Sequence, residues 1–227
     1  MITVDLASSE VRALNQCLHD LRPDTNERAF TVTNPLGKHA IAAGLDAPVE
    51  VTIQGHVGYY CAGMNKHATV VIEGHCGWGV GENIMSGTVR VKGNASQAAG
   101  ASGHGGLVVI EGDAGPRCGI SMKGVDIVVG GSVGHLSAFL AQAGRLVVCG
   151  DAGESLGDSV YEAKLYVRGR VESLGAGCVE QPMTPEDVAA VADLLARAGI
   201  KADAKAFRRY GTDRSLYNFH VDHADAY

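Results

Sequence analysis

Residues 74–93 read GHCGWGVGENIMSGTVRVKG, with Gly77, Gly79 and Gly81 at alternate positions just after the apolar run Val70–Val71–Ile72. Spaced glycines after a strand suit a loop that cradles phosphate, but such a loop occurs once and leads into a helix whose N-terminus holds the anion. Here the next element is another strand-like run, TVRVKG, and it closes on Gly93, nineteen residues after Gly74. The stretch is one unit of a repeat.

Extended in both directions, the interval of nineteen links Gly55, Gly74, Gly93, Gly112, Gly131, Gly150 and Gly169. Four residues before each glycine stand Val51, Val70, Val89, Val108, Ile127, Leu146 and Leu165. Two before stand Ile53, Ile72, Val91, Ile110, Val129, Val148 and Val167. Between them come Thr52, Val71, Arg90, Val109, Val128, Val147 and Tyr166, so the element has one constant apolar face and one variable face, the alternation of a strand. Three residues past the turn glycine, Gly58, Gly77, Gly115, Gly134 and Gly153 recur, which predicts a positive φ there. Seven residues past it, Ala62, Gly81, Gly100, Gly119, Ala138, Gly157 and Ala176 are never larger than alanine, which predicts close approach of two backbones.

A period of nineteen with short β elements fits one coil of a parallel β-solenoid, in which equivalent residues stack about 4.8 Å apart and seven coils make a rod of roughly 34 Å. Hexapeptide acyltransferases also form solenoids, but from eighteen-residue coils of three similar hexads, which this repeat does not match. The expected organisation is an N-terminal strand, helix and degenerate first coil over 1–48, the β-helix over 49–180, and a helix with an aromatic tail over 181–227. In the first part, Ser8 or Ser9 is the expected N-cap of a helix with Val11, Leu14, Leu18 and Leu21 on one stripe. In the last, Thr184 caps a helix with Pro185 at its first position, Asp187 three residues on and Gly199 as its stop. Both helices are expected to cap the open ends of the solenoid, whose unpaired backbone groups would otherwise invite association.

Composition narrows the function. The chain has 227 residues, 46% hydrophobic and 19% charged, with 31 glycines, only four Phe and one Trp. A net charge of −6 without a basic block argues against nucleic acid, and the absence of a long apolar run or signal-like N-terminus argues for a cytoplasmic protein off the membrane. The six cysteines form no C-x-x-C pair, which leaves reduced, semi-buried thiols as the expectation rather than zinc or an iron–sulfur cluster. No His, carboxylate and nucleophile fall together in the repeat, so neither catalytic nor metal-binding residues are expected.

The candidate contact residues come from two places. His56, His75, Asn94 and Asp113 share the position after the turn glycine and continue as Ser132, Asp151 and Arg170. This polar column either serves turn hydrogen bonding or forms a path or strip for a small polar molecule or partner. Trp78 is the single tryptophan, and Phe207, Tyr210, Tyr217 and Phe219 belong to a C-terminal stretch rich in aromatic and Arg residues. That stretch is either folded back over the rod or held by another subunit.

The repeated V-x-V/I-x-G-x-x-G, clearest over GHCGWGVGENIMSGTVRVKGNASQAAGASGHGGLVVIEGDAGPRCG, resembles the GXGXG domain that ends the large subunit of glutamate synthase. The resemblance spans about residues 30–180. In length the chain is similar to free-standing subunits of that type, such as the one in N-methylglutamate synthase, and the β-helix subunit of formylmethanofuran dehydrogenase is related. The resemblance implies an all-β core in a right-handed parallel β-helix. It implies a hetero-oligomer in which this chain binds no cofactor and spaces a glutamine-amidotransferase-like subunit from a subunit carrying FMN and iron–sulfur clusters. It also implies the reaction of glutamate and methylamine to N-methylglutamate and ammonia. The alternatives are a one-carbon complex of formylmethanofuran dehydrogenase type and an independent binding solenoid.

Overall fold

The computed structural model describes residues 2–21 and 28–214. The strands are β1 (Ile2–Asp5), β2 (Ala29–Thr33), β3 (Glu50–Gln54), β4 (Thr69–Ile72), β5 (Thr88–Val91), β6 (Leu107–Ile110), β7 (Lys123–Val129), β8 (Ala143–Val148), β9 (Lys164–Val167), β10 (Cys178–Gln181) and β11 (Arg208–Thr212). The helices are α1 (Val11–His19) and α2 (Pro185–Ala198). β1 to β9 pair in sequence order, every pair parallel, and from β3 to β6 each residue stands beside the one nineteen later: Val51 beside Val70, Val70 beside Val89, Val89 beside Val108. A second parallel ladder, one residue wide, runs Val57, Cys76, Ala95, Ala114, Val133, Ala152 and Val171. The chain is a parallel β-solenoid. β2 joins it in register, Phe30 beside Val51 and Val32 beside Ile53, although the spacing there is 21 residues.

Both aliphatic columns of the repeat point inward and are fully buried from Val51 to Val167, because only stacking on the neighbouring coils removes them from water. The glycine columns act for reasons opposite to those the sequence suggests. Gly77 is not left-handed; a Cβ there would lie 2.8 Å from the Gly58 carbonyl carbon of the coil below, so this column is the backbone contact. The Gly/Ala column is the left-handed one, with φ of +64° at Gly81 and +53° at Ala62. Left-handed residues recur at alternate positions of each turn, and their N–H groups reach alternately to the coil above and the coil below: Tyr60 N–H to Trp78 O, Ala62 N–H to Ile41 O, Met64 N–H to Glu82 O.

The ends are closed by different means. At the N-terminal end α1 inserts Leu14 and Leu18 into the interior beside Leu6, Ile41 and Leu45. Its N-cap residue is Glu10, without a side-chain bond, rather than Ser8 or Ser9; Ser8 instead closes a turn on the Asp5 carbonyl. Asn15 stands in for a missing coil. Each later residue equivalent to Ala42 donates its N–H to a carbonyl below, as Ala62, Gly81 and Gly100 do, whereas Ala42 N–H donates to Asn15 Oδ1 at 2.9 Å while Asn15 Nδ2 donates to Ala40 O.

At the other end the expected helix cap is corrected. α2 does not cover the end of the rod; the antiparallel β11, between β9 and β10, closes it. α2 lies on the outer face, packing Val191, Leu194, Leu195 and Ala198 against Leu107, Val109, Val128, Val147 and Tyr166. The physical reason is the variable column, which turns apolar from Val109 onward and would expose those side chains without the helix. Arg90, the last polar member before that change, donates to Ala198 O at 2.9 Å and so meets the negative end of the helix.

Asp187 anchors the start of α2. Its side chain, 1% exposed, completes the capping box with Thr184 and accepts from the Tyr166 hydroxyl at 2.8 Å and Arg209 at 3.1 Å, with Lys164 at 3.4 Å. Burial alone would raise the pKa of this carboxyl, but the Tyr166 and Thr184 hydrogen bonds and the Arg209 guanidinium outweigh it and hold it at about 2. Its ionised form therefore contributes stability that is full above about pH 4 and is lost as pH falls from there toward about 2, roughly 2 kcal/mol in all. Asp187→Asn is expected to lower stability at pH 7 and to flatten the pH dependence in that acid window, read by urea unfolding across pH. Asn15→Ala is expected to cost about 1–2 kcal/mol by leaving Ala42 N–H without an acceptor, measured the same way, with Asn15→Asp losing less because it keeps the acceptor.

Candidate functional site

The polar column is a single continuous device. The N–H of His75 donates to His56 Nδ1 (2.9 Å), that of Asn94 to His75 Nδ1 (2.8 Å), that of Asp113 to Asn94 Oδ1 (3.0 Å) and that of Ser132 to Asp113 Oδ1 (2.7 Å). It continues from Asp151 N–H to Ser132 Oγ (3.0 Å) and from Arg170 N–H to Asp151 Oδ1 (2.7 Å). Each side chain supplies an acceptor one or two bonds beyond Cβ for the backbone of the next coil. The bond runs between coils rather than within one turn, which explains why His, Asn, Asp and Ser interchange. With Nδ1 accepting, the neutral His56 and His75 rings carry hydrogen on Nε2, and they stack with centroids 4.9 Å apart.

A second column, three residues further on, is aromatic at its N-terminal end. His39 stacks on Tyr59 at 4.4 Å, with Tyr59 N–H donating to His39 Nδ1, and Tyr59 meets Trp78 at 5.8 Å. Tyr59, Tyr60 and Trp78 are 46%, 49% and 48% exposed, and Leu36 and Met64 are also exposed. Of the residues singled out from sequence, Trp78 therefore lies in an exposed aromatic row, while His56, His75, Asn94 and Asp113 are exposed but engaged with backbone. Phe207 and Tyr210, each 2% exposed, are buried against the rod, so up to Thr212 the aromatic stretch folds back. Tyr217 and Phe219 lie outside the described residues. The sequence reading passed over Tyr59 and Tyr60, although Tyr59 stands nineteen residues before Trp78.

Gly79, the one glycine of the opening stretch without a repeated counterpart, acquires a reason here. A Cβ at Gly79 would lie 2.7 Å from Glu82 Oε2 and 2.8 Å from Tyr60 Cδ1. The space a side chain would need at this position is thus filled by the Tyr60 ring and the Glu82 carboxylate. Partial burial raises the pKa of Glu82, and among the described residues no cation pairs with it.

Elsewhere the chemistry is satisfied internally. Cys61, Cys76, Cys118, Cys149 and Cys178 are buried. Burial pushes the thiols of Cys76 and Cys118 up to about 12 and Cys178 to about 11, so they stay protonated at neutral pH. Among the described residues no group of three or more His, Cys, Asp or Glu could hold a metal ion, and no helix is long and apolar enough to cross a membrane. A polar hollow of about 360 Å³ beside α2 contains Asp126 and Arg145, already joined by two hydrogen bonds of 2.6 and 2.7 Å.

No family model matches the chain, and no solved structure matches it. Among curated proteins, Protein GlxC of Rhizobium meliloti (strain 1021) is 55% identical over 228 residues, an alignment that covers 100% of both chains. Asn94→Ala is expected to lower stability by about 1 kcal/mol, the value of one backbone bond at a solvated edge, while Asn94→Ser loses less because Ser132 shows that a hydroxyl can serve; thermal unfolding of the two variants checks this.

Proposed function

The chain belongs to the family of Protein GlxC, and from its repeat we propose that it is a non-catalytic scaffold subunit of a glutamate-synthase-type complex. The proposed complex is N-methylglutamate synthase, which converts glutamate and methylamine to N-methylglutamate and ammonia. In this reading the rod holds a glutamine-amidotransferase-like subunit and a subunit carrying FMN and iron–sulfur clusters at a fixed distance in the cytoplasm, so that a nitrogen intermediate passes between them.

The observation that carries the reading is the repeat itself. Its GXGXG-like pattern resembles the glutamate synthase domain, and it folds as a continuous parallel solenoid, stacked at intervals of nineteen over most of its length. The interior thiols are protonated and the polar column is occupied by backbone bonds, which favours a mechanical over a chemical role. Stacked parallel ladders resist bending, which suits a spacer.

Purification of the chain from its native source under mild conditions tests this. The expected result is co-purification with a flavin and iron–sulfur subunit and an amidotransferase-like subunit, identified by mass spectrometry, while the chain purified alone is colourless. A flavin bound stably to the isolated chain sinks the scaffold reading. Recovery of an amidohydrolase with a molybdopterin- or tungstopterin-type partner moves the chain to a one-carbon complex instead.

A further inference from the structure

At the N-terminal end of the rod, imidazoles stand as the acceptors that bind one coil to the next. His39 Nδ1 accepts from Tyr59 N–H at 2.9 Å, His56 Nδ1 from His75 N–H at 2.9 Å and His75 Nδ1 from Asn94 N–H at 2.8 Å. From Asn94 onward the polar column uses Asn, Asp and Ser, and none of these loses its acceptor near neutral pH. We propose that the first coils form a proton-sensitive joint: protonation of His39, His56 and His75 releases the inter-coil bonds that these rings accept and loosens the aromatic end of the rod, while the later coils stay fastened.

A neutral imidazole accepts at Nδ1 only while its hydrogen is on Nε2; the imidazolium carries hydrogen on both nitrogens and has no acceptor left. Each Nδ1 sits directly on the backbone it serves. A Cβ at Gly74 would lie 2.8 Å from His56 Nδ1 and one at Gly93 2.6 Å from His75 Nδ1, and His39 Nδ1 fills the same place over Gly58. A protonated ring must therefore turn away, and the N–H of the next coil loses its partner. The three rings are exposed, so solvent protons reach them. Histidine ordinarily changes its charge between about pH 5 and about pH 8. Because the bonds need the neutral ring, their contribution is full above that range and is lost as pH falls through it.

The surroundings do not offset the added charge. Among the described residues no carboxylate pairs with any of the three rings. His39 faces Tyr59, and His56 and His75 face each other at 4.9 Å, where two imidazolium rings repel. Glu73, two residues before His75, is held by Lys92, and Lys38, beside His39, donates to the Leu6 and Ser9 carbonyls. The charged members of the column, Asp113, Asp151 and Arg170, begin two coils beyond His75. Two other histidines of this end lack the dependence. His19 Nε2 meets the Ala43 carbonyl at 2.8 Å, where the ring donates and protonation keeps the bond, and protonated His67 gains attraction to Asp46 at 3.9 Å.

Amide hydrogen exchange of the full-length chain, resolved by NMR at about pH 7.5 and about pH 5.5, tests the joint. After correction for the intrinsic exchange rate, protection of the Tyr59, His75 and Asn94 amides is expected to fall about fivefold at the lower pH. Protection of the Ser132 and Arg170 amides, held by Asp113 and Asp151, should stay the same. No loss at Tyr59, His75 and Asn94, or an equal loss at Ser132 and Arg170, overturns the inference. Ring nitrogen chemical shifts give a second readout: the three rings should carry hydrogen on Nε2 at the higher pH, and hydrogen on Nδ1 there removes the acceptors and the inference with them. The double variant His56→Asn/His75→Asn keeps an acceptor, as Asn94 does, without the titration. Between the two pH values the melting temperature of wild type is expected to drop by about 5 °C more than that of the variant, and an equal drop in both counts against the joint. The isolated chain suffices for every measurement, so the result is independent of the subunit reading.

Discussion

The structure depends on one constraint: the N–H of a left-handed turn residue finds its acceptor only if the equivalent turn of a neighbouring coil lies directly above or below it. That condition holds the period at nineteen over most of the rod, and where the count departs from it, between β2 and β3 and between Lys123 and Asp126, the difference is absorbed within one coil so that later donors keep their carbonyls. It also fixes composition. Where two backbones touch, as Gly77 touches Gly58, a Cβ has no room. Where the chain must turn its N–H groups alternately up and down, residues sit in the left-handed region, including non-glycine residues such as Tyr60, Ala98 and Leu136. Each of those costs about 1 kcal/mol or more in isolation, an expense offset by the inter-coil hydrogen bonds and by the aliphatic columns that the same stacking buries.

The same constraint explains what the sequence did and did not reveal. The aliphatic columns were legible because each of their members meets the same environment in every coil, and repetition turns a weak preference into a clear one. The ends were not legible, since each end is met once. Nothing in LNQ marks Asn15 as the substitute for a missing coil, and nothing in RRYGT marks β11 as the antiparallel strand that closes the stack. The glycine columns were found but exchanged in meaning, because glycine looks the same whether space or φ requires it; only the alanines at 62, 138 and 176 hinted that the second column tolerates a Cβ. The outer column was read as merely variable, though Val109, Val128, Val147 and Tyr166 form an unbroken apolar run that needs a cover.

The candidate site was legible in part for a related reason. Trp78 stands out by rarity, but its neighbours are recognised only when the fourth position after the turn glycine is followed through successive coils. A column is informative when it is constant and also when it changes. The break from Arg90 to Val109 marks where α2 ends, and the break from Trp78 to Gln97 marks where the aromatic row ends. The rod is uniform inside and graded outside, with aromatic residues toward one end and the helix over the other half.

The polar column also has a direction. Each side chain accepts from the coil that follows it, never from the one before, so His56 is ready before His75 N–H exists and Asp151 before Arg170. Ribosomes release the N-terminus first, and solenoids can grow by adding units to an existing stack. A coil added on the C-terminal side therefore meets a row of side-chain acceptors already in place on the coil before it, so the column favours growth of the stack in the direction of synthesis.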